Sequence, residues 1–258
     1  MNDALYIAAT GMQAQQAQLD TIANNVANVN TAGFKRGRVS FSDLIASMPA
    51  EGAQPVAATG PGGLGAGVTV AAARRQFAVG DIKQTGDPMS IAIQGDGFIE
   101  ALQADGGVVY TRGGKLKLTA DRVLATADGL ALRQRVQVAD DIRQVLIGHD
   151  GQVSGRDDKG REWSLGRIDL VMFADAAGLA PIGDNAYRAT AAAGEPLVTT
   201  PGESGSGRLM QGFEEGSNVN LIDEMVQMMV AQRAYEMSVK VVQAADEVAG
   251  MVNNMRKG

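Results

Sequence analysis

The stretch "IANNVANVNTAGFKR", Ile22 to Arg36, decides how this chain is built. It sets four asparagines between Asn24 and Asn30 among Ile, Val and Ala, then breaks at Thr31, Gly33 and Phe34. Asparagine is a poor helix former because its side chain competes for backbone hydrogen bonds. Yet the residues before it carry a helical repeat. Leu5, Met12, Leu19 and Val26 recur every seven residues, and Ala8, Ile22 and Val29 fill most companion positions three further on. That pattern is a heptad seam. The stretch therefore reads as the end of a helix that holds amides on or near an apolar face, followed by a turn.

Asn24 and Asn28, one helical turn apart, share a face in this reading. They are expected to hydrogen-bond across a helix seam and fix its register at some cost in stability. Asn30, Thr31 and Gly33 then end the helix. The plainer alternative makes all four asparagines caps and turn formers.

The other end of the chain repeats the pattern. Leu221, Met228, Tyr235, Val242 and Ala249 recur at sevens, with Ala231, Ala245 and Val252 beside them. Asn220 is a good N-cap, and Asp223 sits where a first-turn acid favours the helix dipole. Leu221 to Arg256 is 36 residues, about 54 Å of helix at 1.5 Å per residue. A rod of that length needs the N-terminal helix, another subunit, or both, to cover its stripe. Two amphipathic helices packed on one globular core are the alternative.

Between the ends the composition changes. Thirty of the 33 glycines lie from Gly33 to Gly216, as do all seven prolines. Helical termini flanking a turn-rich β centre follow. "MSIAIQ" (Met89–Gln94), "FIEALQ" (Phe98–Gln103), "VVYT" (Val108–Thr111) and "KLKLT" (Lys115–Thr119) are predicted strands, punctuated by glycine turns. "RIDLVMF" (Arg167–Phe173) is predicted to set Ile168, Leu170 and Met172 on one face against Arg167, Asp169 and Val171. The expected class is α+β: long terminal helices in a coiled-coil-like bundle and a central, mostly antiparallel β domain. The expected divisions are an N-terminal helix 1–34, a connecting segment 35–75, a central β domain 76–212 and a C-terminal helix 213–258. Residues 47–67, rich in Gly, Pro and Ala, read on composition as a linker.

Charge and residue inventory exclude several functions. The formal net charge of −6 argues against wholesale nucleic-acid binding. With no cysteine there are no disulfides, thiolate metal sites or cysteine nucleophile. A single histidine, His149, removes two-histidine zinc motifs and stands before an Asp-Gly, as a surface turn residue does. Residues 1–34 contain no Lys or Arg and no long apolar run, so no cleavable signal is visible. No apolar run reaches the roughly 18 residues of a membrane span, so no membrane insertion is expected. "QGDGF" (Gln94–Phe98) lacks the third glycine of a dinucleotide fingerprint, since position 100 is Glu100. The acidic pairs Asp140–Asp141, Asp157–Asp158 and Glu214–Glu215 read as solvated turn residues rather than a catalytic dyad. No catalytic, cofactor or metal residue is expected, and the chain reads as a non-enzyme.

The termini also resemble a known family. "ATGMQAQQAQLDTIANNVANVNTAGFKRGRVSFSDLI" (Ala9–Ile45) is similar to the N-terminal signature of bacterial flagellar rod and hook proteins. "GFEEGSNVNLIDEMVQMMVAQRAYEMSVKVVQAADEV" (Gly212–Val248) resembles their C-terminal block, with Ser217-Asn218-Val219-Asn220 and Gln232-Arg233-Ala234-Tyr235-Glu236 as its diagnostic pieces. "MSIAIQGDGFIEA" and "YTRGG" resemble the family's β-domain signatures. Length points to a distal rod subunit, with the proximal rod and hook-type axial subunits as alternatives. Ser90, Ile99 and Gly113-Gly114-Lys115 depart from the usual pattern.

The resemblance implies a structural subunit that polymerises into a hollow helical tube, carries torque from motor to hook and encloses an export channel. It implies contacts with copies of itself, neighbouring rod and hook subunits, surrounding ring proteins and the flagellar export machinery. It implies a place in the periplasmic rod of the basal body, reached by export without a cleaved signal. It further implies that residues 47–67 are ordered by neighbouring subunits. The expected interface residues are Leu5, Met12, Leu19, Asn24, Asn25, Val26, Asn28, Gly33, Phe34, Ser217, Asn218, Asn220, Leu221, Met228, Gln232, Arg233, Tyr235 and Val242.

Overall fold

The computed structural model describes residues 2–45, 65–103 and 105–255; most of the stretch 47–67 lies outside the described residues. The chain divides into two units, one made of residues 1–27, 37–74 and 220–258 and the other of 28–36 and 75–219.

The first unit holds α1 (Asn2–Ala27), a two-stranded sheet of β1 (Gly37–Ile45) and β2 (Gly65–Arg75), and α2 (Leu221–Met255). Asn220 caps α2 as its sequence position predicts, its Oδ1 accepting from the Ile222 amide at 3.0 Å, and Asp223 and Glu224 occupy the first turn. The helices pack antiparallel. Asn25 meets Glu224 and Gly11 faces Ser238, pairs that stand two heptads apart on both helices. Of the partners open to α2, α1 is therefore one.

The α1 side of this seam uses small or slim residues, with Ala8, Ala14, Ile22 and Asn25 buried. Gly11 sits in mid-helix, and a Cβ there would meet only Ser238 Oγ at 3.8 Å, an ordinary contact. Gly11→Ala is therefore expected to stabilise the helix pair by about 0.5–1 kcal/mol, the usual cost of a helical glycine. Urea unfolding followed by helix ellipticity checks this, and a lowered midpoint would mean the seam is tighter than its distances. At Gly67 the opposite holds. Its φ is +110° and a Cβ would lie 2.3 Å from Thr10 Oγ1, so β2 approaches α1 at a point only glycine allows.

The second unit is β. It contains β3 (Ile82–Gln84), β4 (Ser90–Gln94), β5 (Ile99–Leu102), β6 (Val108–Thr111), β7 (Gly113–Leu118), β8 (Leu124–Thr126), β9 (Ala131–Leu132), β10 (Ile142–Ile147), β11 (Gln152–Asp157), β12 (Glu162–Arg167), β13 (Leu170–Met172), β14 (Ala180–Gly183), β15 (Ala186–Arg188), β16 (Leu197–Thr199), β17 (Arg208–Gln211) and β18 (Phe213–Glu215). Nine of these form one sheet in the order β14-β15-β6-β5-β9-β8-β7-β4-β17; β10-β11-β12, β13-β16 and β18-β3 form smaller ones. The ladders between these strands run antiparallel, as the turn-punctuated sequence predicts.

The four strands predicted from Met89 to Thr119 all form. The single strand predicted over Arg167–Phe173 does not. β12 ends at Arg167 and a separate β13 begins at Leu170. The predicted alternation holds, with Ile168 and Leu170 turned to one side and Val171 to the other, but both sides of β13 are covered. Leu170 joins Ile91, Ile93, Ile99, Leu124, Leu132, Ile168 and Leu209 in the larger core. Val171 instead joins Phe98, Tyr110, Leu179 and Tyr187 in a second one. A strand buried on both faces loses the apolar–polar alternation that a half-exposed strand shows.

That second core is aromatic. Phe77 meets Phe98 edge-on at 5.1 Å between centroids and Tyr187 at 4.9 Å, while Tyr110 meets Phe173 at 4.9 Å. These are the favoured T-shaped arrangements. Burial pushes the Tyr187 hydroxyl up to about 12. An acid with a raised folded pKa lends stability that is intact below its ordinary value of 10 and lost as pH climbs through the folded value. On the order of 2–3 kcal/mol is therefore expected to drain away between pH 10 and 12. Tyr187→Phe should flatten that alkaline slope in denaturant titrations at stepped pH; an unchanged slope would assign it elsewhere.

Candidate functional site

Two constructions stand out, each within one unit. The first answers the question raised by the asparagines. Asn25, not Asn24 or Asn28, occupies the apolar face, at 1% exposure. Its Nδ2 donates to the Gly37 carbonyl at 2.9 Å and to Glu224 Oε2 at 3.1 Å, while its Oδ1 accepts from the Gly37 amide at 2.8 Å. One amide thus ties the end of α1 to the start of β1 and to the first turn of α2. Asn24 is exposed. α1 ends at Ala27, so Asn28 stands in the following turn and shares no helical face with Asn24. There its carbonyl and Oδ1 accept from the Thr31 amide and hydroxyl, both at 3.1 Å.

The seam residues are placed as follows. Leu5, Met12, Leu19 and Val26 are half-buried on α1, as are Met228 and Val242 on α2. Leu221, Gln232 and Tyr235 are exposed, and Arg233, also exposed, pairs with Glu236 at 2.9 Å. On an ideal helix at 100° per residue, Glu224, Met228, Ala231, Ser238, Val242 and Ala245 form the stripe turned to α1. The opposite side of α2 is also apolar. Ile222, Met225, Val226, Met229, Val230, Met237, Val241, Val248 and Met251 lie there, from 47% exposed at Val248 to 73% at Ile222. This second face has no cover among the described residues. Arg233, Lys240 and Glu247, all exposed, fall within the same arc, so this side is apolar without a break from Ile222 to Val230 and apolar between charges beyond, and an exposed patch of that kind marks an association surface.

The second construction is a buried charge knot in the β unit. Lys35 is fully buried, and Arg112 and Glu215 are each 2% exposed. Lys35 Nζ stands 2.6 Å from Glu215 Oε1, and Arg112 Nε stands 3.3 Å from Oε2. The remaining hydrogen-bonding groups are also engaged. Lys35 donates to the Ala78 carbonyl, the Gly80 amide donates to Glu215 Oε1, and the Arg112 guanidinium donates to the carbonyls of Gly97 and Gly95 at 2.7 and 2.8 Å. Burial, with Arg112 beside it, pulls the Lys35 ammonium below its usual range, and Glu215 opposes that pull. A buried ion set is tolerable only with this degree of hydrogen bonding.

The flanking signature residues complete the knot. Gly33, at φ +68°, donates its amide to the Glu215 carbonyl at 2.7 Å. Phe34 is buried beneath the Arg75 guanidinium, 4.8 Å from its ring centroid. Asn218 Oδ1 accepts from the Arg36 amide at 2.7 Å, and its Nδ2 donates to the carbonyls of Gln76 and Ala78. Ser217 Oγ accepts from the Val219 amide. Glu215 thus overturns the expectation that the Glu214–Glu215 pair is merely solvated. Asp157 does so too: its side chain is nearly buried and accepts from the Lys159 and Arg161 amides, closing the turn between β11 and β12. His149 is an exposed turn residue, as its sequence context predicts.

Three segments of the chain match family models: flagella basal body rod protein over residues 5–35, flagellar hook protein FlgE/F/G D1 domain over 92–155, and flagellar basal body rod FlgEFG protein C-terminal over 210–255. Proteins described as flagellar basal-body rod protein FlgG align along the full length. That of Borreliella burgdorferi is 40% identical over 264 residues, covering all of both chains. That of Agrobacterium fabrum is 38% identical over 261 residues, covering 98% of this chain and 99% of the other. A flagellar basal-body rod protein FlgF from Caulobacter vibrioides is 31% identical over 253 residues, 96% of each chain. This chain belongs to the flagellar basal-body rod protein family. In this rod-family chain each matched segment supplies part of the knot: Lys35 from the first, Gly95, Gly97 and Arg112 from the second, Glu215 from the third.

Among the described residues no group of three or more His, Asp or Glu side chains is placed to hold a metal, and no helix is long and apolar enough to cross a membrane.

Proposed function

We propose that this rod-family chain is a structural subunit of the flagellar distal rod, polymerising with copies of itself into a hollow helical tube. The observation that carries the reading is the uncovered apolar face of α2, opposite the seam already filled by α1. A head-to-tail contact that does not close on itself generates an open helical filament. In this reading residues 1–34 and 213–258 form an inner tube of bundled, coiled-coil-like helices around an export channel. Residues 76–212 form an outer sleeve, and 35–75 connect the two. Interface roles fall to Leu221, Gln232 and Tyr235 on the exposed part of α2 and to Asn24 on α1. The tube transmits torque to the hook and contacts neighbouring rod and hook subunits, ring proteins and the export machinery. Its place is the periplasmic rod of the basal body.

The FlgG-named relatives, at up to 40% identity against 31% for a FlgF-named one, favour the distal over the proximal rod. The test is Met229→Glu with Met237→Glu, two side chains more than half exposed. The variant is expected to keep wild-type ellipticity and unfolding midpoint, yet to fail to form filaments in sedimentation and to leave cells without hooks. Filaments of normal length would overturn the reading. Hydrogen exchange with and without a polymerising partner adds a second check, since the α2 amides, already hydrogen-bonded in the helix pair, should gain further protection on assembly.

A further inference from the structure

The apolar face of α2 is unusual in what it is made of. Four of its exposed members are methionines: Met225 at 55%, Met229 at 57%, Met237 at 67% and Met251 at 57%. The other described methionines, Met12, Met89, Met172, Met210 and Met228, are all half-buried. The chain has no cysteine, so no thiol competes for an oxidant and the thioethers are its most oxidisable side chains. The neighbours on this face, Ile222, Val226, Val230 and Val241, are inert to oxidants. Sensitivity to oxidation is therefore concentrated on the surface that holds no intrachain contact.

We infer that Met225, Met229, Met237 and Met251 form a peroxide-sensitive patch whose oxidation reversibly blocks association through this face. The consequence for assembly rests on the reading under Proposed function; the selectivity of oxidation does not. In each step a thioether sulfur attacks one oxygen of a hydroperoxide. The O–O bond breaks, an S=O bond forms, and the second oxygen leaves as water or alcohol after taking up a proton. Sulfur loses two electrons and the peroxide gains two. A dithiol reductant reverses the change, giving thioether, disulfide and water. The sulfoxide is polar where the thioether was apolar, so each event removes apolar surface from the strip and adds an acceptor that a dry interface does not satisfy.

The experiment treats the full-length, unassembled chain with hydrogen peroxide and maps added oxygen by peptide mass spectrometry. The four patch methionines are expected to oxidise at least about fivefold faster than Met89, Met172, Met210 and Met228, following exposure. Equal rates across both groups would overturn the inference. Sedimentation then compares untreated, oxidised and reductase-repaired chain, together with a variant carrying leucine at all four positions. Loss of filaments on oxidation, recovery on repair and resistance of the leucine variant support it. Oxidised chain that assembles like untreated chain would sink it. If neither form assembles, the function proposed above is what fails, and the oxidation map alone judges the patch.

Discussion

Replacing Glu215 by Gln is expected to cost the β unit about 3–5 kcal/mol, the usual penalty for removing one partner of a buried ion set. The substitution keeps the volume and one acceptor oxygen, so the Gly80 amide retains a partner. What it removes is the negative charge facing both Lys35 and Arg112, which leaves two buried cations uncompensated. A fall in melting temperature of roughly 10 °C follows for a unit of this size. Adding Lys35→Met removes one of the two stranded charges, so the double variant is expected to be more stable than Glu215→Gln alone by at least about 1 kcal/mol. The pH dependence carries an independent sign. The Lys35 pKa already lies below its ordinary value, and losing Glu215 lowers it further. A base with a depressed folded pKa gains stability as pH rises toward its unfolded value of 10.5. The deficit of Glu215→Gln should therefore narrow from pH 7 to pH 9, short of the range where Tyr187 titrates in the unfolded chain. Denaturant midpoints at stepped pH decide the matter; a deficit below about 1 kcal/mol, flat with pH, would show that solvent reaches the knot.

The sequence carried some of this arrangement and hid the rest for physical reasons. Both helices were readable because apolar residues recur at sevens, and the positions so found, Met228, Ala231, Val242 and Ala245, do lie on the stripe turned to α1. The second face of α2 was missed because a search for one seven-residue seam selects one stripe, and α2 is apolar on two sides. The asparagines were legible as special but not as individuals. Which one faces inward depends on where α1 stops, and that is set by the Asn28–Thr31 turn and by Gly37, twelve residues beyond Asn25. Glu215 looked like half of a solvated pair because its partner Lys35 lies 180 residues upstream. One clue was available: residues 1–34 have no basic side chain, and the first one, Lys35, follows directly on an apolar stretch ending in Phe34. The separate β13 escaped because a strand between two cores is apolar on both faces.

Asn25→Asp is expected to be the second large effect, and it isolates the amide from its shape. Asp has nearly the same size, and its oxygen still accepts from the Gly37 amide. It cannot donate, so the Gly37 carbonyl loses a partner, and so does Glu224, 199 residues along the chain from Asn25. It also sets a second carboxylate against the fully buried Glu224. Two carboxylates sharing a buried site cannot both ionise cheaply, so one folded pKa rises. For an acid, a raised folded pKa means stability that is present below the unfolded value near 4 and lost as pH climbs through the folded one. Asn25→Asp is therefore expected to lose about 3 kcal/mol at pH 7 and to recover most of it by about pH 4. Asn25→Leu restores apolarity to the face but orphans the same groups, so it should lose about 2 kcal/mol without that acid recovery. Urea unfolding of wild type and both variants at pH 7 and pH 4 separates the cases. Equal losses for Asp and Leu at both pH values would mean that the repulsion is relieved by the chain ends moving apart, and the register would then rest on the Ala and Ser contacts of the seam rather than on this amide.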